Sequence, residues 1–196
     1  MMKWTVLSDN RSSDSRLSTE HGLSILLETE RHKILLDTGA SDLFIRNAKQ
    51  LGINLNDVDY VFISHGHSDH EGGLRYFLEH NRQAKVIVSP DAMSGEFFSK
   101  RGNLHSITTE WPEINEERLL KIEQTCEIAE GIHVIAISLR IIRCPRGIRT
   151  FSCRMPMANM CMMISAMKLL CMLKFSYSQV VLIADWRTFW LPVLGL

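Results

Sequence analysis

After His133 this chain of 196 residues contains no histidine, and after Gly131 its only acidic residue is Asp185. All eight histidines therefore lie at or before residue 133, so composition changes abruptly along the chain. Other absences exclude whole classes of function. Lysine plus arginine and aspartate plus glutamate both number 22, and this balance argues against a surface that coats nucleic acid. None of the five cysteines forms a C-x-x-C pair, and the opening M-M-K-W-T-V-L-S-D-N has too short an apolar run for a secretory signal. Free thiols in a reducing, cytoplasmic compartment are the expectation. Residues 160–196 are apolar, but Lys168, Lys174, Asp185 and Arg187 interrupt them. No clean run of the ~20 apolar residues needed for a membrane span survives. Neither nucleic acid nor a membrane is expected as a partner.

What the chain does have is concentrated in residues 58–73, V-D-Y-V-F-I-S-H-G-H-S-D-H-E-G-G. An apolar strand runs directly into His65, His67, Asp69 and His70. Imidazole nitrogen and carboxylate oxygen are ligands of Zn²⁺ and related ions, and metal sites gather them at short fixed spacings. Alternation places His65 and His67 on one side of the chain as it leaves the strand. Asp69 and His70 fall on the next turn, where a second ion could sit. Gly66 is expected to let the backbone bend, and Gly72 and Gly73 to allow close approach.

The first part reads as alternating strands and helices. Strands are expected at 4–7, 23–28, 33–36, 58–64 and 85–88, with 23–28 and 33–36 forming a hairpin. Ser41 or Asp42 caps a helix through Leu51, stopped by Gly52. A second helix starts at Asp69 or His70, and Pro90 opens a short one through Phe98. Runs at 119–122, 127–129 and 133–136 suggest a meander. The class is α/β with mixed sheets.

L-L-D-T-G at 35–39 followed by I-S-H-G-H-S-D-H-E-G-G at 63–73 resembles the metallo-β-lactamase-fold hydrolases. With S-D-N at 8–10 and E-H-G-L-S at 20–24, residues 1–136 look most similar to the branch of dihydropterin-ribofuranosylaminobenzene-phosphate synthase-like proteins. The resemblance implies an αββα sandwich, here its N-terminal portion only, with metals at one edge of two face-to-face sheets. It implies that His65 and His67 bind one divalent ion and Asp69 and His70 a second, with Zn²⁺ favoured over Mn²⁺ or Fe²⁺. Asp69 also orients the nucleophile. Asp37 supports the loop or a ligand from behind, or caps the following turn, and Asp9, Asn10 and His21 border a substrate pocket. The implied activity is metal-assisted hydrolysis at a carbonyl or phosphoryl centre of a small molecule, phosphorylated or pterin-like.

The same resemblance requires further ligands from the C-terminal half: another histidine, a bridging aspartate and a late histidine. Residues 137–196 as written contain no histidine. They are read as an irregular, non-native tail translated out of frame. Pairing the last base of each codon with the first two of the next forces Asp from Met162 into Met163 and from Met163 into Ile164, and Glu from Met167 into Lys168. The positions between permit D-D-F-S-H-E, and 178–186 permit G-C-S-H, both resembling segments where this branch keeps its later histidines. The chain as written is therefore expected to be an impaired enzyme. Its first rival is a non-catalytic metal-binding protein whose apolar tail contacts a partner or a membrane, and a nuclease of the same fold is disfavoured by the neutral charge. A single frame change within about residues 136–143 is the expectation. Sequencing the encoding DNA checks it, and a shifted frame without histidine at either place refutes it.

Overall fold

The computed structural model of the protein describes residues 2–99, 104–137, 140–143, 149–152 and 179–184. The chain divides into two compact units, Met1–Glu123 and Gln124–Leu196. The first runs β1 (Lys3–Ser8), β2 (Ser24–Glu28), β3 (Lys33–Leu36), α1 (Leu43–Gln50), β4 (Tyr60–Ile63), α2 (Ser68–Glu71), α3 (Leu74–His80), β5 (Lys85–Val88), α4 (Pro90–Ser94), β6 (Phe98–Ser99), β7 (His105–Ser106) and β8 (Leu119–Lys121).

Six of these strands form one sheet in the order β1-β2-β3-β4-β5-β8. β1, β2 and β3 are antiparallel neighbours, the first two joined by the long segment 9–23 and the last two by a short turn at 29–32, whereas β3-β4 and β4-β5 pair in parallel. Parallel neighbours need a crossover, and α1 supplies the first and α3 the second. Leu26, Leu35, Val61 and Val86 lie opposite one another across four strands. They pack with Phe44 and Ala48 of α1 and Leu74 and Phe77 of α3 to make the core. Ile34, Phe62 and Ile87, one residue out of phase, are buried as well, as expected of strands covered on both faces. Gly52 ends α1 at φ 70, with its N–H on the Lys49 carbonyl and that of Ile53 on Ala48 at 2.8 Å.

Three sequence expectations are corrected. The helix expected from residue 69 or 70 is two helices, because Gly72 and Gly73 lie against the backbone of Ser68, Ala40, Thr38 and Ser41. The helix from Pro90 stops at Ser94 rather than Phe98, and Phe98 belongs to β6. The 119–122 run is not part of a meander: β8 pairs in parallel with β5, and Leu119 packs against the core.

In the second unit, β9 (Cys126–Ala129) and β10 (Ile132–Ile137) form a hairpin, with Gly131 at φ 77 in the turn. β11 (Arg140–Arg143) pairs with β12 (Arg149–Ser152), and β13 (Gln179–Ala184) lies parallel to β10. The rest of the expected irregular tail, including 154–168, lies outside the described residues. Among the described residues no helix is long and apolar enough to cross a membrane. Phe77 is fully buried between α3 and the sheet. Phe77→Ala is expected to cost about 3–5 kcal/mol, read as a lower urea midpoint with unchanged slope.

Candidate metal centre

Parallel pairing brings the C-terminal ends of β3 and β4 together, with Leu36 opposite Phe62. Asp37 therefore arrives beside Ser64, at the point where the histidine loop leaves β4. Asp37 adopts φ 54, a left-handed conformation uncommon for a residue with a side chain, and is buried. Its carboxylate collects three donors. Oδ1 accepts from the Ser64 N–H at 2.8 Å, and Oδ2 accepts from Ser64 Oγ at 2.8 Å and from His70 Nδ1 at 2.7 Å.

These bonds assign two tautomers. A carboxylate only accepts, so His70 carries its proton on Nδ1 and, when neutral, its lone pair on Nε2. The single hydroxyl proton of Ser64 is spent on Asp37, so Ser64 Oγ must accept from His65 Nδ1, 2.8 Å away. His65 then also has its lone pair on Nε2. The Thr38 N–H and hydroxyl both donate to the His70 carbonyl, at 2.7 and 3.0 Å, which ties the loop to the end of β3.

The three imidazoles cluster tightly. Ring centroids of His65 lie 4.4 Å from His67 and 4.1 Å from His70. Burial pushes His65 well below the ordinary imidazole range, and repulsion from His70 and His67 adds to it. Burial also lowers His67, against the attraction of Asp69. Burial works against the charge of His70 too, but the carboxylates of Asp37 and Asp69 outweigh it and raise its pKa. His65 and His67 are thus held neutral at physiological pH, the form that binds a metal.

Asp69 lies at the open side, Oδ2 3.9 Å from His70 Nε2 and 3.3 Å from His21 Nε2. His21 Nδ1 meets Asn10 Oδ1 at 2.9 Å, so Asn10, His21 and Asp69 form a connected polar row. Asp9 is not in that row: its carboxylate accepts from the Asn10 N–H, and its carbonyl from the Glu20 N–H. Glu20, which the sequence did not single out, holds the His21 segment in place. Its carboxylate accepts from Ser8 Oγ, the Ala40 N–H and Ser41 Oγ, the last at 2.6 Å.

Ser64 and Glu71 were likewise unforeseen. Glu71 is buried, its Oε1 has no hydrogen-bond partner among the described residues, and burial pushes its carboxyl up to about 7 against the pull of Arg75. Gly66 lies at a bend, and a Cβ there would strike the Ala92 carbonyl and the Phe97 ring, so a side chain would clash at this point.

The donor chemistry fits divalent ions bound by nitrogen and oxygen, with His65, His67, Asp69 and His70 on one loop and two rings pre-set to present Nε2. No three His, Cys, Asp or Glu side chains among the described residues converge on a single ion position. Asp37→Asn is expected to lower the pKa of His70 in the metal-free chain, read by proton NMR titration. Because Asp37 raises the folded pKa, the pair stabilises fully below the unfolded imidazole value of about 6.5 and loses that contribution as pH rises through the folded value. The variant should flatten this dependence. An unchanged His70 titration would refute the assignment.

Comparison with known proteins places this loop in a family. Residues 18–126 match the family model of the metallo-beta-lactamase superfamily. The Methanocaldococcus jannaschii protein MJ0448 is 33% identical over 97 residues, 49% of this chain and 38% of its own length. The 7,8-dihydropterin-6-methyl-4-(beta-D-ribofuranosyl)-aminobenzene-5'-phosphate synthase of the same organism is 32% identical over 100 residues, 48% of this chain and 34% of that protein. The crystal structure of Tm1679, a metal-dependent hydrolase of the beta-lactamase superfamily, aligns with TM-score 0.51 and 33% identity over 67% of this chain and 46% of that one. The chain thus spans less than half the length of each of these relatives. With the match covering more than half of its residues, the chain belongs to the metallo-beta-lactamase superfamily, whose members are metal-dependent hydrolases.

Proposed function

We propose that this chain carries the N-terminal half of a dinuclear metallohydrolase site. His65 and His67 would hold one divalent ion and Asp69 and His70 a second, Zn²⁺ first and Mn²⁺ or Fe²⁺ as alternatives. The supporting observation is the Asp37 network, which orients His70 directly and His65 through Ser64. A bound divalent cation lowers the pKa of water from about 15.7 to about 7 and polarises an attacked oxygen. Asp69 lies between His70 and His21 and would orient the nucleophile as well as bind metal. Asn10 and His21 continue the polar row away from the ligands, where a substrate's polar group would meet them.

The reaction class is hydrolysis or transfer at a carbonyl or phosphoryl centre of a small molecule in the cytoplasm. The dihydropterin-aminobenzene-phosphate synthase similarity supports a phosphorylated or pterin-like substrate. Since no histidine follows His133, the later ligands are missing as written, and activity is impaired. The forced Asp, Asp and Glu of the shifted frame support reading 137–196 as out of frame. The missing late histidines also favour a second reading, a non-catalytic metal-binding protein whose apolar tail contacts a partner or a membrane.

Metal content and activity separate the two. After zinc loading and dialysis, the chain as written should retain fewer than two ions by elemental analysis. A frame-restored chain should retain two and hydrolyse an activated phosphodiester or lactone. Two retained ions in the chain as written would sink the impairment. A frame-restored chain that holds two ions and hydrolyses nothing would favour the non-catalytic protein.

A further inference from the structure

We propose that Phe97 is a positioning residue for His67, holding that imidazole from behind the loop. This rests on the metal-site reading for its consequence but not for its geometry. Phe97 is 1% exposed, although Glu96 is exposed and Phe98 is 54% exposed. It stands outside the core that α1 and α3 form with the sheet. Its ring packs on the metal loop instead. The ring meets His67 edge to face, with centroids 5.2 Å apart and planes at 74°. It also fills the space a side chain at residue 66 would take: a Cβ on Gly66 would come within 2.5 Å of Phe97 Cε2. Glycine at 66 is what lets an aromatic ring reach this position.

The backbone of Phe97 is fixed with equal care. Its N–H donates to Thr108 Oγ1 at 2.6 Å, and its carbonyl accepts from the Thr108 hydroxyl at 3.2 Å and the Ile107 N–H at 2.9 Å. The Ile107 carbonyl in turn accepts from the Ser68 N–H at 3.1 Å. One clamp therefore grips His67 twice, through its ring and through the peptide that follows it. The ring stands edge to face against the His67 imidazole and so limits its rotation. Groups that orient a ligand from behind are worth about 10–100-fold in metal affinity.

The test uses the full chain in two variants, Phe97→Met, which keeps apolar bulk and removes the ring, and Thr108→Val, which loosens the clamp and keeps it. In the metal-free protein, the His67 ring C–H resonances should move in Phe97→Met, and in the same direction but less in Thr108→Val, with His70 unmoved. Zinc affinity, read by chelator competition, should fall about 10-fold in Phe97→Met. His67 resonances that stay in place in Phe97→Met, or in Thr108→Val should the first variant not fold, overturn the proposal. A wild-type chain that takes up no zinc while His67 moves would overturn the hydrolase reading and leave the role of Phe97 standing.

Discussion

A single carboxylate organises the loop on which every functional statement about this chain depends. Asp37 sits in a left-handed conformation that costs an L-residue roughly 1–2 kcal/mol. What offsets it is a set of three hydrogen bonds, two from Ser64 and one from His70, each strengthened by the charge of the acceptor. Remove the charge and two imidazoles lose their fixed proton positions together. The sheet makes the arrangement possible, because parallel pairing of β3 and β4 delivers Asp37 and Ser64 to the same edge.

Around that carboxylate, close backbone approach does the remaining work. Gly22 passes beneath the Asp69 carbonyl, Gly66 accepts the Phe97 ring, and Gly72 and Gly73 let two helices meet the turn after β3. Each contact would be broken by one methyl group. The loop is therefore rigid for a reason separate from metal binding: its backbone is enclosed by Thr38, Ala40, Ala92 and Ile107. Such enclosure is what a ligand loop requires, since preorganised donors lose less freedom when an ion binds.

Superfamily membership rests on the part of the chain that this enclosure covers, residues 18–126. The proposed chemistry needs ligands from beyond it. In the chain as written no histidine follows His133, and methionine and cysteine are frequent from there on. The proposed frame change would restore acidic residues at the spacing the family resemblance implies. The loop's own supports come from residues 8–108, all within the first unit.

Periodicity and turn residues revealed much of the fold. The hairpin of β2 and β3, the helix closed by Gly52 and the apolar strand before His65 are local features, governed by side-chain alternation and by the left-handed turn that glycine permits. The short spacing of His65, His67, Asp69 and His70 is likewise local, and it is the ground on which metal chemistry is proposed. Less legible were the features made by distant segments. Nothing near Leu119 in the chain announces that it pairs with β5, nor near Phe97 that its ring lies against His67. Ser64 looks like an ordinary strand end until Asp37, 27 residues away, accepts its hydroxyl hydrogen bond. The sequence by itself determined which donors are present and how closely they follow one another, because covalent spacing does that. Only the tertiary structure decided which nitrogen each ring presents and what holds it there, because a proton's position depends on the partner that folding brings within 3 Å.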